Sequence, residues 1–298
     1  MEYGTYFLCT AAAALCGCLV AFARFVKRGA RPGMAAAVIC AAAAAGALGA
    51  RLYYLAAYCL PGGGMGNAEL VSDRPYEYAA CGAVLGVILA VFPASKPLRM
   101  PAGRLLDAAA PGGMAALMLE RIAEVFADFG WGDEILEEKW QFFPLALRDG
   151  YGDWYGAVNL LEAAAAFFVL LLALRKRRRD GTLFALTLLW WSMSQILCES
   201  LRAETLRWGF VRVQQVQCAV FGAAALLWAL RRMKADGKRR LVFFAAYLSG
   251  VAAVIALEFA LDRLSWPRWL DYLMMAAALS AMGMCVRGAV MRADRAAG

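Results

Sequence analysis

Apolar residues gather along this chain in long stretches instead of recurring at a helical or strand period. Such runs lie near residues 4–25, 34–59, 77–95, 104–127, 155–174, 181–201, 214–230, 241–261 and 268–286. A bilayer core of ~30 Å takes about 20 mostly apolar residues per helix. The pattern therefore predicts an all-α, polytopic integral membrane helix bundle with about nine transmembrane helices. Polar residues interrupt the third, fourth and sixth runs. The last two runs could also lie as peripheral helices, but each is long and apolar enough to span.

Lysine and arginine orient these spans, because cytoplasmic loops retain positive charge. About two thirds of the 31 cations fall on segments following the first, third, fifth, seventh and ninth runs. They include Arg24 to Arg31, Lys96 to Arg104, Arg175 to Arg179, Arg231 to Arg240 and Arg287 to Arg295. The other side keeps Arg74, Lys139, Arg148, Arg202, Arg207, Arg212, Arg263 and Arg268. This alternation predicts an outward N-terminus and an inward C-terminus. A box-like stretch, Leu15-Cys16-Gly17-Cys18, follows an apolar run, but its cations come after that run. The expectation is a retained first span, since a signal peptide carries its charge ahead of its apolar region.

Composition narrows the chemistry. The 298 residues are 63% hydrophobic with a mean hydropathy of +0.57, well above the ~45–50% apolar share of soluble domains. The chain has no histidine, which excludes a Ser-His-Asp triad, a Cys-His dyad and an HExxH zinc site. The nine cysteines form no CxxC pair and sit almost wholly in apolar runs, as small hydrophobes do. No metal site and no cofactor is expected. The net charge of +8 follows from the topology signals, so a nucleic-acid partner is not expected.

The outer segment 128–154 is acidic and aromatic, suiting an arm at headgroup level. Ionisable groups within spans are costly, ~2.5–3.5 kcal/mol each at the bilayer centre, and are functional candidates by default. The topology places Arg51, Glu77, Glu120, Arg121, Glu124, Asn159, Glu162, Gln195 and Glu199 at one outer-leaflet depth, on five different runs. Asp107 falls near the inner end. One reading is a set of ion pairs holding the bundle together; the other is a polar chamber. Arginines facing acids in such a chamber suit an anionic headgroup, most naturally a phospholipid phosphate.

Several motifs then resemble, in order, those of prolipoprotein diacylglyceryl transferases. Tyr3-Gly4 stands where that family has an aromatic-Tyr-Gly opening. Gly49-Ala50-Arg51-Leu52-Tyr53 is similar to its GARLGY stretch, and Cys81-Gly82 through Gly86 to its His-Gly-Gly-Leu-Leu-Gly. Arg121 to Gly132 lies without gaps over the signature RIGNFINGELWG. Phe143-Pro144, Asn159-Leu160-Leu161-Glu162-Ala163 and Glu199-Ser200-Leu201-Arg202 resemble later family segments. The resemblance covers roughly residues 3–230, giving a seven-span domain over 1–230. A basic loop and two additional spans over 231–298 are an appendage without evident chemistry.

The resemblance implies a transferase of the bacterial plasma membrane's outer face. It would move a diacylglyceryl group from phosphatidylglycerol to the lipobox cysteine thiol of a preprolipoprotein, releasing glycerol phosphate. Arg121, and Arg51 with it, would hold the phosphate. Glu162 and Glu199 would orient the arginines or accept the thiol proton. Tyr3, Cys81, Glu124, Asn159, Gln195 and Arg202 would line the substrate site. The chain departs from the family at Cys81 (a histidine position), Glu124 and Ala127 (asparagines), Phe129 (a glutamate) and Gln195 (an arginine). Glu124 or Glu199 would then serve as base, and Cys81 could be a packed small residue. The alternative is a catalytically inactive relative that binds anionic phospholipid or lipoprotein precursors.

Overall fold

The computed structural model describes residues 3–59, 70, 72, 74–175, 179–208, 211–233, 237–263 and 267–295. Helices dominate. They are α1 Gly4–Lys27, α2 Pro32–Cys59, α3 Ala80–Val91, the short α4 Ser95–Leu98, and α5 Ala102–Ala123. Beyond an outer arm follow α6 Val158–Ala173, α7 Thr182–Leu201, α8 Val213–Arg232, α9 Gly237–Arg263 and α10 Arg268–Arg295. Five of them (α1, α2, α8, Gly237–Leu261 of α9, and α10) are long and apolar enough to cross a membrane by length and composition. Helices α3 and α6 are apolar but shorter.

The expected third span is cut at both ends. Residues 75–77 form a 3₁₀ turn before it, and the helix stops at Val91, ahead of Pro93. Proline has no N–H with which to continue the hydrogen-bond ladder. Elsewhere the helix ends follow local chemistry. Helix α1 closes with Gly29 at φ 97°, its N–H donating to Val26 O while Ala30 N–H donates to Phe25 O. These are the paired bonds of a Schellman motif, and Phe25 and Ala30 bury together beneath them. Helix α2 then begins on Pro32, whose missing N–H costs nothing at a first position.

Large apolar side chains such as Leu8, Leu15, Leu89, Phe168, Leu241 and Leu273 point outward. That surface is the inverse of a soluble protein's and suits lipid contact. Packing therefore depends on small residues and polar links between helices. Helix α2 meets α3 backbone to backbone: a Cβ on Gly86 would run into Ala45 O, and one on Gly82 into Gly49 O. Helix α7, buried along most of its length, is the central post, with α6, α8 and α10 against it.

The two ends of the bundle differ. At one end Asp107 accepts hydrogen bonds from the backbone N–H groups of Gly181 (2.9 Å) and Phe184 (2.7 Å), and pairs with Arg28 at 3.6 Å. A carboxylate on α5 thus satisfies the first turn of α7, whose own N-cap is a glycine. The opposite end carries the arm, built on a hairpin of β1 Ala146–Arg148 and β2 Trp154–Gly156. Asp149 fixes its turn by accepting from the N–H groups of Tyr151, Gly152 and Asp153 at 2.7–2.9 Å. A second small pair joins β3 Arg207–Trp208 to β4 Val211–Arg212 ahead of α8.

Candidate functional site

The end that carries the arm also holds the buried charges. Arg121 lies in the last turn of α5, and Glu124 follows at i+3 on the same face. Glu162 sits in the first turns of α6, and Arg202 directly follows α7. Their exposures are 6%, 0%, 5% and 5% respectively, so all four charges are sealed from solvent.

They pair in a closed ring. Arg121 Nη1 donates to Glu124 Oε1, and Arg121 Nε lies 2.7 Å from Glu162 Oε2. Arg202 forks onto Glu162, with Nε 2.7 Å from Oε1 and Nη2 3.0 Å from Oε2, and Nη2 also reaches Glu124 Oε2 at 3.1 Å. Two guanidiniums and two carboxylates thus balance, the condition under which buried ions are tolerated. Of the two readings left open, ion pairs and a chamber, these four residues take the first: each carboxylate of the ring lies between two guanidiniums.

The surrounding residues hold this ring in place. Asn159 Nδ2 donates to Arg121 O at 3.4 Å, and Gln195 Nε2 to Glu162 Oε1 at 3.4 Å. Glu120 lies 3.6 Å from Arg121 and accepts from the Tyr6 hydroxyl at 3.1 Å. Gly130, at φ 77°, comes so close that a Cβ there would meet Glu124 Oε2 at 2.5 Å and Arg202 Nη2 at 3.2 Å. An isolated bridge joins Gly132 to Arg202, and Ala203 N–H donates to Trp131 O at 3.1 Å. The arm thereby fixes the backbone that presents Arg202.

Glu199, one helical turn beyond Gln195, is fully buried. Its Oε1 accepts from Gln214 Nε2 at 3.4 Å, and its backbone oxygen accepts from Arg212. Its Oε2 has no hydrogen-bond partner among the described residues. That separates it from Glu124 and Glu162, whose oxygens are held by arginines. Of the carboxylates expected to act as base, Glu199 keeps an oxygen open for a proton.

Other expected residues fall beside the ring. Arg51 pairs with Glu77, Nη1 to Oε2 at 2.7 Å, between the rings of Tyr54 and Tyr78. The second arginine of the ring is consequently Arg202, in the place the sequence reading gave to Arg51. Helix α2 delivers Arg51 to the turn before α3, whereas the end of α7 delivers Arg202 to α5 and α6. A line of rings connects the two centres: Phe129 underlies the Arg202 guanidinium at 5.6 Å and approaches Tyr76, next to Glu77, at 6.2 Å. Tyr3 packs with Tyr6, Cys9, Ala123, Ala127 and Phe129 beneath the arm. Cys81 is fully buried in the main apolar cluster, its Sγ 3.7 Å from Cys218 Sγ.

Sequence reasoning passed over Arg212 and Gln214 at the head of α8, and Cys218 one turn further along. They lie at the depth of Gln195 and Glu199, at the start of an apolar run, where polar side chains are costly. Among the described residues no Cys, Asp and Glu group is arranged to hold a metal ion.

Fold and site together define a multi-pass membrane protein with a neutral arginine–carboxylate ring at one end of its bundle. Residues 1–231 match the family model of prolipoprotein diacylglyceryl transferase, and the chain belongs to that family. No curated protein matches it.

Proposed function

We propose that this protein is a divergent diacylglyceryl transferase of the outer face of the bacterial plasma membrane. Phosphatidylglycerol would be the donor and the lipobox cysteine of a preprolipoprotein the acceptor. The observation carrying this reading is the buried pair of guanidiniums, Arg121 and Arg202, with Glu199, whose Oε2 has no hydrogen-bond partner among the described residues, three residues before Arg202. Residues 1–230 would form the catalytic body, with nine spans in the whole chain, the N-terminus outside and the C-terminus inside.

The acceptor's thiol gives its proton to Glu199 Oε2, since the thiolate is the nucleophile. Sulfur then bonds to the glyceryl carbon that carries the phosphate ester. That C–O bond breaks, and its electron pair leaves with glycerol phosphate. The leaving group gathers negative charge, which planar, always-charged guanidiniums stabilise through paired hydrogen bonds. Arg121 Nη2 and Arg202 Nη1 donate no hydrogen bond among the described residues, which leaves both arginines a donor edge for phosphate. Glu124 and Glu162 hold the forks in plane. Asn159 and Gln195 fix Arg121 and Glu162, Tyr3 supports the arm, and Arg51 serves the lipid from its own pair with Glu77.

The test is a transfer assay on the full chain in phosphatidylglycerol proteoliposomes with a lipobox peptide. Arg121→Ala should lower turnover by about 10²–10³-fold, the usual cost of losing one transition-state donor. A variant as fast as the unaltered chain would sink the assignment.

A second reading has its own observation. Cys81 packs against Cys218 in the apolar cluster and makes no contact with the ring's arginines among the described residues, and Gln195 holds Glu162 where the family has an arginine. A relative that binds anionic lipid without turning it over would show saturable phosphatidylglycerol binding and no product.

A further inference from the structure

Helix α9 lies beyond residues 1–231 that match the family. It places one carboxylate, Glu258, against the outer side of the site. Glu258 Oε1 accepts from Gln215 Nε2 at 2.7 Å and from the Ser200 hydroxyl, and Oε2 lies 3.9 Å from Arg212 Nε. Gln215 also donates to Ser200 Oγ (2.7 Å) and to Ile196 O (3.1 Å). The same Arg212 donates to the backbone oxygen of Glu199. Helix α10 adds to this wall: Met275 Sδ lies 3.3 Å from Ser200 Oγ, and Arg268 pairs with Asp133 of the arm at 2.9 Å.

We propose that Glu258 is a positioning residue for the site, and that the added α9–α10 hairpin is part of the machinery that sets its geometry. Ser200 is the residue between Glu199 and the Arg202 turn, so whatever fixes Ser200 fixes the direction in which both site residues leave α7. A carboxylate on a membrane helix is costly unless partnered. Glu258 offsets that cost with one donor from α7, one from α8 and the charge of Arg212 just ahead of α8. It sits at their junction, beside Arg212 of the β3–β4 pair, which itself donates to the backbone oxygen of Glu199. The kinetic part of this inference rests on the transferase reading; the structural part does not.

Two measurements on the full chain separate those parts. In the transfer assay, Glu258→Ala should lower kcat by about tenfold or more, with the KM for phosphatidylglycerol within about twofold, since small misplacements cost rate more than binding. Glu258→Gln keeps an accepting oxygen and should restore most of the rate. Ser200→Ala should lower kcat, and the double variant should be no slower than the worse single one. Full kcat in both single variants overturns the proposal.

Hydrogen exchange reads the geometry whether or not the chain turns over. Glu258→Ala should speed exchange at residues 199–202 and 213–215, leaving the first half of α7 unchanged. Unchanged exchange at those residues overturns the proposal as well. An unaltered chain that makes no product, yet shows this local loosening, removes the transferase reading and keeps Glu258 as the residue that sets the wall.

Discussion

Glu162 pairs with both buried arginines at once, so its removal leaves the two guanidiniums with one buried carboxylate, Glu124, and the partly exposed Glu120. Breaking a buried pair by deleting one partner costs about 3–5 kcal/mol, far more than the intact pair contributes. Glu162→Ala should therefore lower unfolding stability in detergent micelles by about that amount. A loss under 1 kcal/mol would mean that the ring is open to solvent. Gly130→Ala tests the other side, forcing a left-handed residue to carry a Cβ into Glu124 and Arg202. Strain of this kind costs about 1–3 kcal/mol, and the same unfolding measurement reads it. Much of the site is legible residue by residue in the sequence, because charge is so costly in a membrane that Arg121, Glu162 and Glu199 advertise themselves. Pairing is less legible. Arg51 and Arg121 sit at one depth, yet Arg202 completes the ring, since depth gives height along the bundle and says nothing of azimuth. Glu258 is equally visible by its charge, but its helix carries no motif of the family.

Among the elements, the α2–α3 contact and the start of α7 carry the clearest consequences. Gly49, Gly82 and Gly86 let two backbones touch where side chains would hold them apart. Gly86→Leu should wedge α3 off α2, shift Cys81 and weaken the bundle by about 1–3 kcal/mol or more, as overpacking does. Increased protease cleavage around residues 74–79 would report it, and wild-type resistance would argue against the close contact. At the opposite end, Asp107→Ala removes the acceptor for two N–H groups of α7. The expected cost is about 0.5–2 kcal/mol, the value of a helix cap, measurable by the same unfolding transition. Apolar runs in the sequence locate these helices to within a few residues. They do not reveal that α3 ends at Val91, which depends on Pro93, nor that a carboxylate from α5 caps α7. Contacts between distant segments leave no local pattern.

At the scale of the whole molecule, the arm, the ring and the C-terminal hairpin meet at one end of the bundle, with basic residues concentrated at the other. We infer from that charge asymmetry that the arm faces outward. A phosphatase reporter joined after Asp149 should be active and a fluorescent protein joined after Gly298 should glow; the reverse pattern would invert the topology. Removal of residues 232–298 should expose apolar faces of α7 and α8 that α10 covers, so a truncated chain should aggregate or lose stability in micelles. A stable, fully active truncation would make the hairpin dispensable. In the proposed reaction Arg121, Arg202 and Glu199 together pass a diacylglyceryl group to a thiol. Its most direct test follows thioether-linked lipid on a lipobox peptide and free glycerol phosphate in the same proteoliposome reaction. The two products should appear one for one, and both should fall at least about tenfold with Glu199→Gln. Lipid bound to the unaltered protein while neither product forms would contradict it.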